Sequence, residues 1–382
     1  MRINHLIAAI FGLFAVVVVG VAMAEDNADE NTPEDDLVGV LAKAQAESAE
    51  LAELPAVPET NHASVETFIE RMRTTERDRT AEALVRYGAW RERVLAELRR
   101  KRMPEDLLAL AFVESHYKVR ATSPSDAGGF WQILPATARL FGLRRDAFVD
   151  ERYDPDAATR FAADYLRALH AQFGDWYLAM AAYNLGRGDL TRLLESGAPR
   201  DFFALRDAGK LRAETADYVP RILAARRIMT DPERYGFAKI DFAPDATTGL
   251  HVRPLTDLRL LEALAGVPGG TLAALNPGLR SDYVPPDPGG YRIVVPADRA
   301  DALDGVNVKE RAVADWNSLR GIRRVEIAVK KGMTLYSIGR DFDTSLSSLR
   351  RWNDFGEEKA IAKGDRVIVY VRDDFRPPPE KP

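Results

Sequence analysis

The spacing of the apolar residues changes once along this chain, near residue 250, and that change restricts the fold more than any single motif. Before it, apolar side chains recur at three and four, the spacing of one helix face. Val65, Phe68, Ile69 and Met72 do so, and Leu84, Tyr87, Trp90, Val94, Leu95 and Leu98 follow, which makes 61–103 a helical N-terminal segment. After it, short β-rich runs flank short helices: Tyr291 to Val295, Val325 to Val329 and Val367 to Val371. The expected fold class is a mainly α domain followed by small α+β modules of βααβ pattern. A length of 382 residues agrees, since it exceeds what one ordinary core serves.

Punctuation residues divide the helical part. Pro104 suits a first helical position, and Glu105 and Asp106 favour the positive end of the helix dipole. Asp154-Pro155 opens a helix that Gly174 closes, with Phe161, Tyr165, Leu169 and Phe173 along one face. Trp176, Ala179, Met180 and Tyr183 mark another, ended by Gly186, and Tyr218, Ile222, Ala225 and Met229 a further one. Residues 104–240 therefore read as one compact all-α domain.

The ends read differently. Arg2 and His5 form a short basic start, Leu6 to Val21 is apolar apart from Gly12 and Gly20, and Ala22-Met23-Ala24 offers the small residues of a cleavage site. Residues 1–24 are thus expected to be an export signal and the protein periplasmic. The alternative is an uncleaved anchor with transient membrane association, although the apolar run falls short of the roughly 20 residues a bilayer requires. Residues 25–60 are acidic and broken by Pro33, Pro55 and Pro58, which reads as a flexible linker with one helical stretch from Leu37 to Leu54. Residues 372–382 form a charged, proline-rich end expected to be disordered.

Composition removes several function classes. A net charge of −5 gives no footprint for nucleic acid. The chain has no cysteine, so disulfides, thiolate nucleophiles, Cys-ligated metals and a lipid-attachment site are excluded. The five histidines are scattered and no metal or other cofactor is implied. His116 reads as a rim residue rather than a ligand.

Glu114 carries the strongest chemical signal. It stands at i+7 from Leu107 on the stripe of Leu110 and Ala111, while Leu108, Phe112 and Val113 make the other faces apolar as well. A helix apolar all round is buried, and a carboxylic acid at its end is desolvated, which raises its pKa. Glycoside cleavage at neutral pH requires such a protonated acid. The competing reading is a helix-end glutamate that faces solvent or pairs with Arg120. Then Ser123 to Gln132 forms a turn-rich loop with Gly128 and Gly129, in which Asp126 reads as a turn residue. Phe130 reads as core, Trp131 as either core or a platform for a sugar face, and Gln132 as a donor to hydroxyls and N-acetyl groups. By themselves, Tyr183 and Tyr218 read as core tyrosines on amphipathic helices.

Glu114-Ser115, the Ser123-Pro124 to Gln132 stretch, Ala182-Tyr183-Asn184 and Tyr218-Val219-Pro220 resemble, in order and spacing, the family 1 soluble-lytic-transglycosylase domain, which has a goose-type-lysozyme-like fold. The triplet Phe130-Trp131-Gln132 and the helical run before Arg102-Met103-Pro104-Glu105 are similar to the murein transglycosylase D subgroup. The resemblance implies that Glu114 is the sole catalytic carboxylate and that Ser123 bonds near it or near the substrate. It also implies that Gln132, Tyr183, Asn184 and Tyr218 line a saccharide cleft. Two departures bear on the loop: Asp126 stands where many members have Gly, and Gly128 where many have Ala or Ser.

A second resemblance lies at 322–371. Val325 to Ile338, Leu346, Leu349, Asn353 and Gly364-Asp365-Arg366-Val367 look like a LysM module, and 250–300 like a degenerate copy with Leu275-Asn276-Pro277 and Tyr291 to Pro296. LysM implies binding to N-acetylglucosamine-containing glycan; a purely structural role is the alternative. The whole then reads as a lytic transglycosylase acting on peptidoglycan glycan strands. A muramidase that uses water, and an inactive wall-binding scaffold, are the other readings.

Overall fold

The computed structural model describes residues 52–242, 246–314, 319–356 and 359–376. The expected export signal, nearly all of the helix expected from Leu37 to Leu54, and the last residues of the proline-rich end lie outside them. Among the described residues no helix is long and apolar enough to cross a membrane.

The chain divides into two compact units. The helices, in chain order, are α1 (Ala63–Arg73), α2 (Arg77–Arg100), α3 (Leu108–Ser115), α4 (Pro135–Leu140), α5 (Pro155–Phe173), α6 (Trp176–Leu185), α7 (Arg187–Glu195), α8 (Phe202–Asp207) and α9 (Ala213–Thr230). Of the described residues, the first unit comprises those up to Pro135 and 158–242. It is all helical, and α9 is its hub, packed against α1, α3 and α6. Ile222, Leu223, Ala224, Ala225 and Ile228 of α9 are buried, as are Leu108 to Val113 of α3. Each leucine or isoleucine so enclosed contributes about 1.5–3 kcal/mol, so α3 is fixed from every side. Pro104 precedes a 3₁₀ turn, Glu105–Leu107, and α3 begins only after it.

The segment expected as a linker is fixed at its C-terminal end. Trp176 Nε1 donates to the Pro55 carbonyl at 2.8 Å, Tyr177 Oη to that of Pro58 at 2.8 Å, and Arg226 to that of Val57 at 2.8 Å. Long-range donors on α6 and α9 hold this stretch, and its composition gives no sign of them.

The second unit comprises Ala136–Ala157 and the described residues from 246 on. It contains two βααβ modules. In the first, β1 (Thr247–Val252) pairs antiparallel with β2 (Tyr291–Pro296) around α10 (Leu258–Ala265) and α11 (Thr271–Leu275). After α12 (Ala300–Asp304) and α13 (Val306–Arg311), β3 (Ile322–Ala328) pairs antiparallel with β4 (Arg366–Arg372) around α14 (Leu335–Asp341) and α15 (Leu346–Trp352). One asparagine does the same work in each. Asn276 Nδ2 donates to Leu272 O and Val294 O, and its Oδ1 accepts from Val294 N. Asn353 bonds Leu349 O, Ile368 O and Ile368 N in the same way.

Residues 136–157 join this unit although they fall within the stretch read as the all-α domain. Asp146 is fully buried and accepts from Phe148 N, Val149 N, Arg144 Nε and Ser348 Oγ. Arg144 also reaches Asp287 at 2.5 Å, and Arg145 pairs with Asp343 at 3.1 Å. Backbone bonds run from Ser345 N to Arg145 O and from Arg280 N to Phe148 O. These are polar, long-range contacts with no trace in apolar periodicity.

Candidate active site

Glu114 sits in the last turn of α3, half-buried among residues that are themselves buried. The chain then turns sharply: His116 and Tyr117 both take left-handed backbone angles, φ 53° and 54°. That conformation costs roughly 1–2 kcal/mol per residue without glycine. Packing offsets it, since Tyr117 is fully buried and its hydroxyl donates to Leu108 O at 3.0 Å, closing the turn against the start of α3.

Tyr218 of α9 donates its hydroxyl proton to Glu114 Oε1. Burial pushes the Glu114 carboxyl up to about 7; the Tyr218 bond opposes the rise and the charge of Glu214 adds to it. Glu114 is thus poised between acid and base near neutral pH. Glu214 stands four residues before Tyr218, on the same face of α9. Asn184 Nδ2 lies 3.4 Å from Glu214 Oε1, and Asn184 Oδ1 accepts from Thr215 Oγ1 at 2.8 Å. The second carboxylate whose charge acts on Glu114 is Glu214. The i, i+4 spacing of Glu214 and Tyr218 was the available signal, but only the packing of α9 on α3 gives it meaning.

The loop after Glu114 is held by its own side chains. Ser123 Oγ accepts from Ser125 N at 3.2 Å and Ala127 N at 3.0 Å, and Asp126 stands at φ 60° as a turn residue. Gly128 bridges to both Thr122 and Ile133, and Gln132 Nε2 donates to Gly129 O at 2.8 Å. Ser123 and Gln132 therefore shape the loop itself. The open question over Trp131 closes on the core side: it is 0% exposed and its Nε1 donates to Thr159 Oγ1 at 3.0 Å. Phe130 is also core, against Trp90 and Tyr117. Neither ring is placed to stack on a sugar. Tyr183 Oη donates to Trp131 O at 2.8 Å, and its own pKa is raised well above the usual value, by burial first and then by Glu114. The structure thus gathers Glu114, Tyr183 and Tyr218 at one point, with Asn184 joined to them through Glu214.

His116 is pushed down to about 3, by burial first and then by Arg79, Arg221, Lys118 and Arg86, so its imidazole is neutral. Among the described residues no group of three or more His, Asp or Glu side chains is placed to hold a metal ion.

Comparison with known proteins gives this geometry its setting. The model of the Transglycosylase SLT domain matches residues 94–202, which include Glu114, the loop and Tyr183. Residues 94–202 are an SLT domain. The chain continues with a match to the LysM-like domain of lytic transglycosylase MltD over 247–311 and to the LysM domain over 327–369. The membrane-bound lytic murein transglycosylase D of Escherichia coli K12 is 31% identical over 274 residues, 68% of this chain and 59% of that protein. This chain therefore spans about three fifths of that relative's length. The membrane-bound lytic murein transglycosylase F of Vibrio cholerae is 33% identical over 147 residues, 35% of this chain and 24% of that protein. A solved structure, an inactive mutant of lytic transglycosylase Slt from Pseudomonas aeruginosa, is 26% identical and covers 40% of this chain and 25% of that one. Its TM-score is 0.33. The SLT match ends before Tyr218, so the partner of Glu114 comes from beyond it.

Proposed function

We propose that this protein is a lytic transglycosylase of the cell envelope that cleaves the β-1,4 bond between N-acetylmuramic acid and N-acetylglucosamine in peptidoglycan. The observation that carries the reading is Glu114, a carboxyl raised to about 7 inside an SLT domain and hydrogen-bonded by Tyr218. Protonated Glu114 donates to the glycosidic oxygen, and the C1–O bond breaks as positive charge builds on the muramic C1. The C6 hydroxyl of the same sugar then attacks C1 and returns its proton to the Glu114 carboxylate. The product end is a 1,6-anhydro sugar, and no water is consumed. Tyr218 stabilises the carboxylate between the two proton transfers. Tyr183 and Asn184 line the saccharide cleft, and Ser123 and Gln132 act by holding the loop at its edge. The two C-terminal modules retain glycan near the cleft by raising its local concentration.

One observation favours a second reading. Glu214 is a carboxylate close enough to Glu114 to raise its pKa, and a second carboxylate is what a hydrolase needs to activate water. Glu114→Gln tests what both readings share. The amide keeps the shape and cannot donate the proton, so wall cleavage should fall by at least about 100-fold with normal melting. Retained activity in a folded variant would remove Glu114 from the chemistry.

A further inference from the structure

α9 carries Glu214, Tyr218 and Arg221 on one face, with Tyr218 between the other two. On the Arg221 side, positive charge accumulates. α2 contributes Arg79 and Arg86, and the turn after Glu114 contributes Lys118. Arg86 Nε donates to the His116 carbonyl at 2.8 Å, two residues from Glu114. Arg221 and Arg71 both lie over the Phe68 ring, at 5.2 and 5.1 Å. Carboxylates compensate part of this charge. Glu76 is shared by Arg71 at 2.8 Å and Arg221 at 3.1 Å, Glu82 meets Arg86 at 3.5 Å, and Asp217 acts on Arg221 from its own helix. Arg221 is held below the usual range by burial first, with Arg71 and Arg79 opposing its charge as well. Arg86 and Arg221 each keep one nitrogen buried without a hydrogen-bond partner. Crowded, desolvated like charges destabilise a fold, so an anionic ligand offers the compensation.

We propose that Arg79, Arg86, Lys118 and Arg221 form a subsite for the carboxylates of the peptide stems carried by the glycan strand. The inference rests on the transglycosylase reading and names what that reading leaves open. The stem hangs from the muramic sugar whose C1 Glu114 addresses, so it emerges beside Glu114. A chain of net charge −5 meets a carboxylate-rich polymer, and a local positive field is what steers such a substrate into register. Arg79 and Lys118 are exposed and give the stem its first contacts; Arg86 and Arg221 supply the partly buried charge behind them.

The test compares soluble glycan strands bearing native stems with the same strands after carbodiimide amidation of the stem carboxylates, which removes charge and keeps length. The full-length protein should cleave the native strands with about tenfold higher kcat/KM. Arg79→Gln with Lys118→Gln should lose that preference, falling about tenfold on native strands and keeping its rate on amidated ones. Raising salt toward 1 M, where screening reaches about 3 Å, should erase the wild-type preference and leave the double variant's rates in place. Equal loss on both substrates, or a wild type indifferent to amidation, would overturn the subsite. If the wild type cleaves neither substrate, it is the transglycosylase reading that fails. Titration of a free acidic stem tripeptide into Glu114→Gln protein, followed by NMR shifts, then decides the subsite by itself: shifts abolished by the double change support it, and their absence overturns it.

Discussion

In the proposed mechanism Glu114 gives a proton and then takes one back, and its surroundings set both steps. Burial favours the neutral acid, the Tyr218 hydroxyl favours the carboxylate, and the balance rests at about 7. This has a stability consequence. The folded value lies above the ordinary 4.5, so the folded protein holds this proton more tightly than the unfolded chain. The contribution is fully present below about 4.5 and is lost as the pH rises through 7. Glu114→Gln removes the titration, so the variant should gain on the wild type between pH 5 and pH 8. The gain is at most about 3 kcal/mol, at about 1.4 kcal/mol per pH unit, and less because the carboxyl is part-exposed. Thermal melts at the two pH values check it; a constant difference would contradict a raised Glu114. Tyr218→Phe removes the bond that opposes the rise. Glu114 should then titrate higher, and the basic limb of the pH–kcat/KM profile should move up. Activity should drop by about 10–100-fold, the worth of a hydrogen bond to a charged group. An unmoved limb would mean that the Tyr218 bond does not act on the acid. The apolar stripe around Glu114 left a solvent-facing or Arg120-paired glutamate open beside an acid, and only the packing of α9 on α3 shows the carboxyl held by Tyr218. Glu214 was not legible in the sequence, because its partner lies a hundred residues away. Trp131 stayed open because an indole beside two glycines fits a ligand platform and a core equally, and only the hydroxyl of Thr159 decides.

At the scale of elements, the helices were readable wherever a capping residue and an apolar stripe agreed. Asp175 caps α6 by accepting from Leu178 N, and Gly186 ends it at φ 97°. The short α7 and α8 escaped notice, since neither has a long stripe. In the C-terminal modules the strands were visible as β-rich runs, whereas β1 was hidden by Thr247, Thr248 and Gly249. The two asparagines explain why both copies keep one shape despite diverged sequences. Asn353→Ala would leave Leu349 O, Ile368 O and Ile368 N without partners, with a cost of about 1–3 kcal/mol for each group left unsatisfied and buried. Hydrogen exchange at the Ile368 amide reads this directly. Its protection should fall while that of Val294 in the sister module stays; unchanged protection would show that the strand does not depend on the asparagine.

For the whole molecule, the division into an all-helical unit and a pair of βααβ modules followed from one change of apolar period. The allegiance of residues 136–157 did not. A buried aspartate with four donors, Asp146, and the ion pairs of Arg144 and Arg145 draw that segment into the module-bearing unit. Removing the last module would strip Asp343 and Ser348 from that network. A truncation therefore tests folding as well as glycan retention.

The chemistry is decided by its product. Purified peptidoglycan is digested in water enriched with ¹⁸O, and the muropeptide ends are resolved by mass. Attack by the sugar's own C6 hydroxyl gives 1,6-anhydro ends, lighter than hydrolytic ends by one water and free of label. That is the result expected if Glu114 acts alone as acid and then base. Reducing ends carrying ¹⁸O would contradict it and make the protein a hydrolase.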